Sequence, residues 1–160
     1  MLTIHRPASL LGSAAIAGLL VVGLGACSDD PERDESGAVT EGGDESVFDI
    51  AVGDCMSDQS ATGEVADVPV VPCEEPHASE VFHTYEIPGD TFPGDFTQVT
   101  QEQCGPAFQQ FVGVPAEQSA LTLTWLEPTA QTWAEGDREL VCIVEDPAGN
   151  VTGSLQGAAR

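Results

Sequence analysis

No lysine occurs anywhere in the 160 residues, and only four arginines stand against 27 aspartates and glutamates, for a net charge of −23. Nucleic acid is bound chiefly by Lys and Arg that neutralise phosphates, and anionic lipid heads attract polybasic segments. The balance of charge sets both partner classes aside. Several chemical signatures are missing as well. No nucleophile-elbow motif surrounds a serine, no Asp-x-Asp-x-Asp-Gly loop offers a calcium cage, and no closely spaced cysteine pair offers a zinc knuckle. The chain has no self-similarity at a solenoid period. Scattered carboxylates without such frames read as a solvated acidic face that keeps the protein soluble.

What is present begins with an address. Arg6 is followed by an almost uninterrupted apolar run over 8–24 and then by Leu24-Gly25-Ala26-Cys27. A basic start, an apolar stretch and small residues before a cut describe a secretory signal. A spanning helix needs about 20 apolar residues, and this run is short of that and broken by Ser9, Gly12, Ser13 and Gly18. The small residues before Cys27 resemble the lipobox of bacterial lipoproteins, in which the cysteine is acylated and the bond before it is cleaved. The expected organisation is a signal peptide over 1–26, a lipidated Cys27 opening an acidic tether over 27–46, and one domain over 47–160. The tether is expected to be disordered, because its Asp, Glu, Ser, Gly and Pro residues offer too little apolar surface to fold.

Once Cys27 is assigned to lipid, Cys55, Cys73, Cys104 and Cys142 remain. An even number in an exported chain reads as two disulfides, with three possible connectivities. Pairing Cys55 with Cys73 brackets a Pro-containing loop, and pairing Cys104 with Cys142 ties a helix to a late strand; this is the arrangement expected. A small domain gains a few kcal/mol from each such closure, on the order of 3.

Weak alternation over 47–55 predicts a short strand, followed by a loop to Pro69. The apolar run 70–73 and the Val-, Phe- and Thr-rich stretch 80–87 predict two more strands. Cys104, Phe108 and Phe111 recur at helical spacing within 99–112, with Thr100 as the expected cap. Alternation over 121–126 predicts a strand. Pro128 opens a short helical turn that Gly136 ends, and 138–145 is the last long strand. After a turn at 146–150, residues 151–155 are expected to return as a hairpin. The fold class is therefore α+β: a small antiparallel sheet with one main helix and two disulfides.

Taken together, Val52-Gly53-Asp54-Cys55, Cys73 with Glu75-Pro76-His77, Glu80-Val81-Phe82, Cys104, Pro128, Trp133, Gly136-Asp137-Arg138 and Cys142 resemble the septum-formation family of actinobacterial membrane-linked proteins. The likeness spans about 52–157. It implies an extracytoplasmic domain on the outer leaflet of the cytoplasmic membrane in a Gram-positive-type cell, tied by name to septum formation or the envelope. It implies no catalytic residues.

Three side chains are singled out for binding: Arg138, His77 and Trp133. Arg138, read as the domain's one internal cation, serves either as a clamp for a carboxylate ligand or as a structural partner of Asp54, Glu80 or Asp137. His77 follows a proline in an acidic loop. With His83, Cys55 and Cys73 it imitates a zinc set, but an oxidising compartment favours disulfides, so no metal and no cofactor is expected. Ser79, His77 and Glu80 are close in sequence without the geometry that defines a triad. Trp125 and Trp133 are expected to pack in the core rather than floor a sugar groove. The reading is a non-enzymatic, membrane-anchored extracytoplasmic lipoprotein that meets an envelope or division protein. The alternative is a ligand-binding sensor with Arg138, His77 and Trp133 lining one pocket.

Overall fold

The computed structural model describes residues 30–57 and 66–160. The export signal 1–26 and Cys27 lie outside the described residues. Six strands form one antiparallel sheet: β3 (Gly43–Ser46), β4 (Cys55–Met56), β5 (Asp67–Val71), β6 (Ser79–Glu86), β7 (Thr122–Leu126) and β8 (Glu139–Glu145), in the order β3-β5-β4-β6-β8-β7. Two shorter strands, β1 (Glu32–Arg33) and β2 (Val39–Glu41), pair with each other. The main helix α1 runs Thr97–Val112 and a short α2 runs Ala130–Glu135. The α+β expectation is correct.

β8 explains how so small a chain builds a core. Its residues are buried on both faces of the sheet, as a central strand's must be. Leu140, Cys142 and Val144 face the cluster that holds Phe82, Phe108, Val112 and Trp133. Val141 and Ile143 face a second cluster with Ile50, Met56, Val68, Val70 and Val81. A bulge between Val81 and His83 on β6 helps align the paired strands. Helix α1 covers the first face because Thr100, Cys104, Phe108 and Val112 recur every four residues and are all buried. Pro106, inside the helix, lies on its exposed side, where water can satisfy the carbonyl that loses its partner.

Both expected disulfides are formed, Cys55–Cys73 with Cα atoms 5.3 Å apart and Cys104–Cys142 with Cα atoms 5.6 Å apart. The second joins the buried stripe of α1 to the centre of β8, so helix and sheet are cross-linked through the larger core cluster.

Several expectations need correction. Residues 32–46 are not a disordered tether: they form β1 to β3, and β3 pairs with β5 from Gly43 opposite Val70 to Ser46 opposite Asp67. Gly42 passes so close to this strand that a Cβ there would lie 2.9 Å from the Val70 carbonyl oxygen. The segment 47–55 is mostly turn, and strand structure in the expected loop begins at Asp67. Thr100 does not cap α1 but is buried within it; Asp95 accepts the Thr97 amide at 2.9 Å instead. The tail forms no hairpin with β8, because Val151 bridges to His77 through two backbone hydrogen bonds. Trp125 is 42% exposed and donates its ring N–H to Glu127, so it is no core anchor.

Candidate functional site

The helix α2 sets the first site. Thr129 caps it in a reciprocal capping box with Thr132, and Gly136 ends it at φ 109°, a left-handed conformation that disfavours a side chain. Asp137 then accepts the Thr132 hydroxyl at 2.8 Å and the Glu139 amide at 3.0 Å. These bonds aim Arg138 back across the helix end.

The Arg138 guanidinium lies 3.8 Å above the centroid of the Trp133 ring, a cation–π contact. Its Nη1 donates to the carbonyls of Trp133 and Asp137, both at 2.7 Å, and its Nε to the Gly89 carbonyl at 3.2 Å. A cation on the last carbonyls of a helix is favourably placed. Trp133 is buried, with its ring N–H on the Asp90 carbonyl at 3.2 Å and its ring edge-on to Phe92 at 5.8 Å. Arg138 and Trp133 together therefore clip α2 to the loop after β6.

The structural ion pair expected of Arg138 with Asp54, Glu80 or Asp137 is not formed. Among the described residues no carboxylate is paired with it. It borders an open cleft of about 520 Å³ whose apolar lining includes Val47, Phe48, Leu126 and Val141. Four carboxylates, Glu86, Glu127, Asp137 and Glu139, line the same cleft. Phe48 is 56% exposed at this edge.

The internal ion pair belongs to another cation. Arg33 meets Asp54 through both guanidinium nitrogens, at 2.6 and 2.9 Å, and Glu45 at 2.8 Å. Asp54 is nearly buried and also accepts the Ala51 amide at 2.8 Å. Hydrogen bonding to Asp54 first, and to Glu45 after it, holds the Arg33 pKa above its ordinary value against the opposing effect of burial. Arg33 lies in the segment expected to be a tether, where no apolar pattern marks it as part of the fold. The signal that would have found it is the fork of a lone cation within a run of acids, a fit for bidentate pairing.

His77 does not share the Arg138 cleft. It stands just before β6, whereas Arg138 accepts the Ile87 amide just after that strand, roughly 30 Å away by strand rise. The imidazole is fully buried. Its Nδ1 lies 2.9 Å from the Glu75 carbonyl oxygen, and Nε2 has no hydrogen-bond partner. Glu80 accepts the Ser154 hydroxyl and the Leu155 amide, each at 2.7 Å. Cys55, His77 and Glu80 converge, with their ligand-type atoms all within 4.8 Å of one another. His83 is half-buried on β6 and is not part of this cluster.

Among the described residues no helix is long and apolar enough to cross a membrane. No curated protein and no solved structure matches the chain. A family model described as septum formation matches residues 52–160. That match spans both disulfides, Arg138 and the His77 cluster, while Val47 and Phe48 of the cleft lie just before it, and the chain belongs to the septum-formation family.

Proposed function

We infer from the family's description that the domain has a division- or envelope-associated role. We propose that the protein is a lipoprotein anchored through Cys27 on the extracytoplasmic face of the cell membrane, and that its domain is a non-enzymatic interaction module. The observation that carries this reading is the cleft beside Arg138. Its cation is occupied by three backbone carbonyls and an indole ring, so it shapes the wall rather than waiting for an anion. The remaining surface combines exposed Phe48 and half-buried Leu126 with four carboxylates. That combination suits a segment of an envelope protein bearing apolar side chains flanked by cationic groups, where charge guides encounter and an apolar anchor holds it.

A ligand sensor is the second reading. It is favoured by the cleft volume of about 520 Å³, which falls within the range of small-molecule pockets. It loses His77, which lies at the other end of β6.

The test is imaging of a fluorescent fusion together with membrane fractionation. Enrichment of the wild type at division septa, lost in Phe48→Asp and Leu126→Asp variants that still fractionate with membranes, supports the interaction reading. A wild type spread evenly over the membrane, or septal enrichment unaffected by both substitutions, sinks it.

A further inference from the structure

The His77 cluster lies outside the proposed interaction cleft. A carbonyl oxygen only accepts hydrogen bonds, so in the neutral ring the proton sits on Nδ1, toward Glu75, and Nε2 is a bare lone pair. A fully buried nitrogen without a partner is rare. An imidazole that donates Nδ1–H to a backbone carbonyl is, moreover, oriented as metal-bound imidazoles are. The Glu80 carboxylate, 3% exposed, and the fully buried Cys55 sulfur lie beside the ring, with an imidazole nitrogen, a carboxylate oxygen and the sulfur all within 4.8 Å of one another. That sulfur is bonded to Cys73 and is a poor ligand while it stays so, because the thiolate is the form that binds metal.

We propose that Cys55–Cys73 gates a zinc site: when this disulfide is reduced, Cys55 Sγ, His77 Nε2 and the Glu80 carboxylate bind Zn²⁺, with a water molecule as the fourth ligand. The reductant is a dithiol. One of its thiolates attacks the protein disulfide to give a mixed disulfide, and its second thiolate displaces the remaining protein sulfur. The net change converts one protein disulfide and one dithiol into two protein thiols and one cyclic disulfide. Zinc then replaces the thiol proton of Cys55, which passes to solvent.

Charge and geometry favour the site. A divalent ion with one thiolate, one carboxylate and one neutral imidazole is electrically balanced, which suits burial. Zinc bonds of about 2.0–2.3 Å put tetrahedral ligand atoms roughly 3.2–3.8 Å apart. Atoms already within 4.8 Å need to close by at most about 1.0–1.6 Å. The sulfur, nitrogen and oxygen donors match zinc's accepted ligands. The site also reaches the tail, because Glu80 holds Ser154 and Leu155 and the His77 backbone pairs with Val151.

The experiment uses the full chain and Co²⁺ as a spectroscopic probe. Cys73→Ser leaves Cys55 a free thiol and Cys104–Cys142 intact. It is expected to bind one equivalent of Co²⁺ with thiolate-to-cobalt charge-transfer absorption that Zn²⁺ abolishes. Adding His77→Ala is expected to weaken binding by about 100-fold or more, beyond the usual cost of losing only an outer-shell partner. The oxidised wild type is expected to show no such absorption. The same titration on wild type reduced with dithiothreitol, with folding followed by circular dichroism, covers the case in which Cys73→Ser does not fold. No thiolate–cobalt band in either folded, reduced form overturns the proposal. So does a band indifferent to His77→Ala, or equal binding by the oxidised protein.

Discussion

Arg33 and Asp54, 21 residues apart in the chain, meet fork to fork, with Nη1 2.6 Å from Oδ1 and Nη2 2.9 Å from Oδ2. The aspartate is almost wholly enclosed and the arginine about a quarter exposed. The pair fastens β1 to the turn before β4, and Glu45 extends the clamp to β3. Removing one partner of a buried pair strands the other charge, at a cost of about 3–5 kcal/mol when both are enclosed.

Because Arg33 retains some solvent contact, Arg33→Ala is expected to destabilise the domain by about 2–3 kcal/mol. It should also speed amide exchange at Val68 and Val70, which lie opposite β3. Denaturant titration with hydrogen exchange measures both. Stability and exchange equal to wild type would mean that β1 to β3 contribute nothing.

The two cross-links should differ in effect. In the chain-entropy account, the loop of Cys55–Cys73, separated by 18 residues, is worth about 3 kcal/mol, and that of Cys104–Cys142, separated by 38, about 4. The paired substitution Cys104→Ala with Cys142→Ala adds a cavity in the main core. It should lower the melting temperature more than Cys55→Ala with Cys73→Ala, as calorimetry would show. The reverse order would place the main dependence at the smaller loop.

Acid should loosen the tail. Asp146 is held below the usual carboxylate range mainly by the Ala148 amide, with the Arg160 guanidinium adding to it. Asp95 is lowered by the Thr97 amide and hydroxyl, and Asp34 by the Ser36 hydroxyl and amide. A carboxyl depressed on folding contributes stability above its unfolded value, near 3.9, and loses it as pH falls through the folded value. Unfolding curves between about pH 5 and pH 2 should therefore depend on pH less steeply in Asp146→Asn than in wild type. Parallel curves would remove Asp146 from the acid response.

Cys27→Ser should move the protein from the membrane fraction to the soluble exported fraction. In wild type, intact mass spectrometry is expected to find a diacyl or triacyl group on Cys27. An unmodified Cys27 in membrane-purified protein would discard the lipid anchor.

The elements that were legible in sequence are those stabilised by apolar burial. β6, α1, β7, α2 and β8 carry alternating or helical apolar patterns, and they stand within a few residues of the expected places. The first strands were invisible for a physical reason. Gly43-Asp44-Glu45-Ser46 has no apolar side chain, and β3 is held by backbone pairing to β5 and by an ion pair, neither of which leaves a hydrophobic period. Trp125 misled in the opposite sense. It keeps the alternation of its strand but lies on the edge strand β7, where it remains exposed. At the cleft, the importance of Arg138 and Trp133 could be read, but their mutual stacking could not, since it depends on where Gly136 turns the chain. The separation of His77 from both follows from the length of β6, which sequence reports only once the strand's ends are known.

The clamp on Arg33 also changes what an anchor at Cys27 would do. With the chain fixed at Arg33, five residues lie between Cys27 and that arginine, a span of at most about 20 Å. A domain of this size is about 35 Å across, so the leash is shorter than the load it carries. The protein would sweep a shallow layer against the bilayer instead of ranging through the wall, and its surface carboxylates would lean away from anionic lipid. Its partners would then be those that come to within one protein diameter of the membrane.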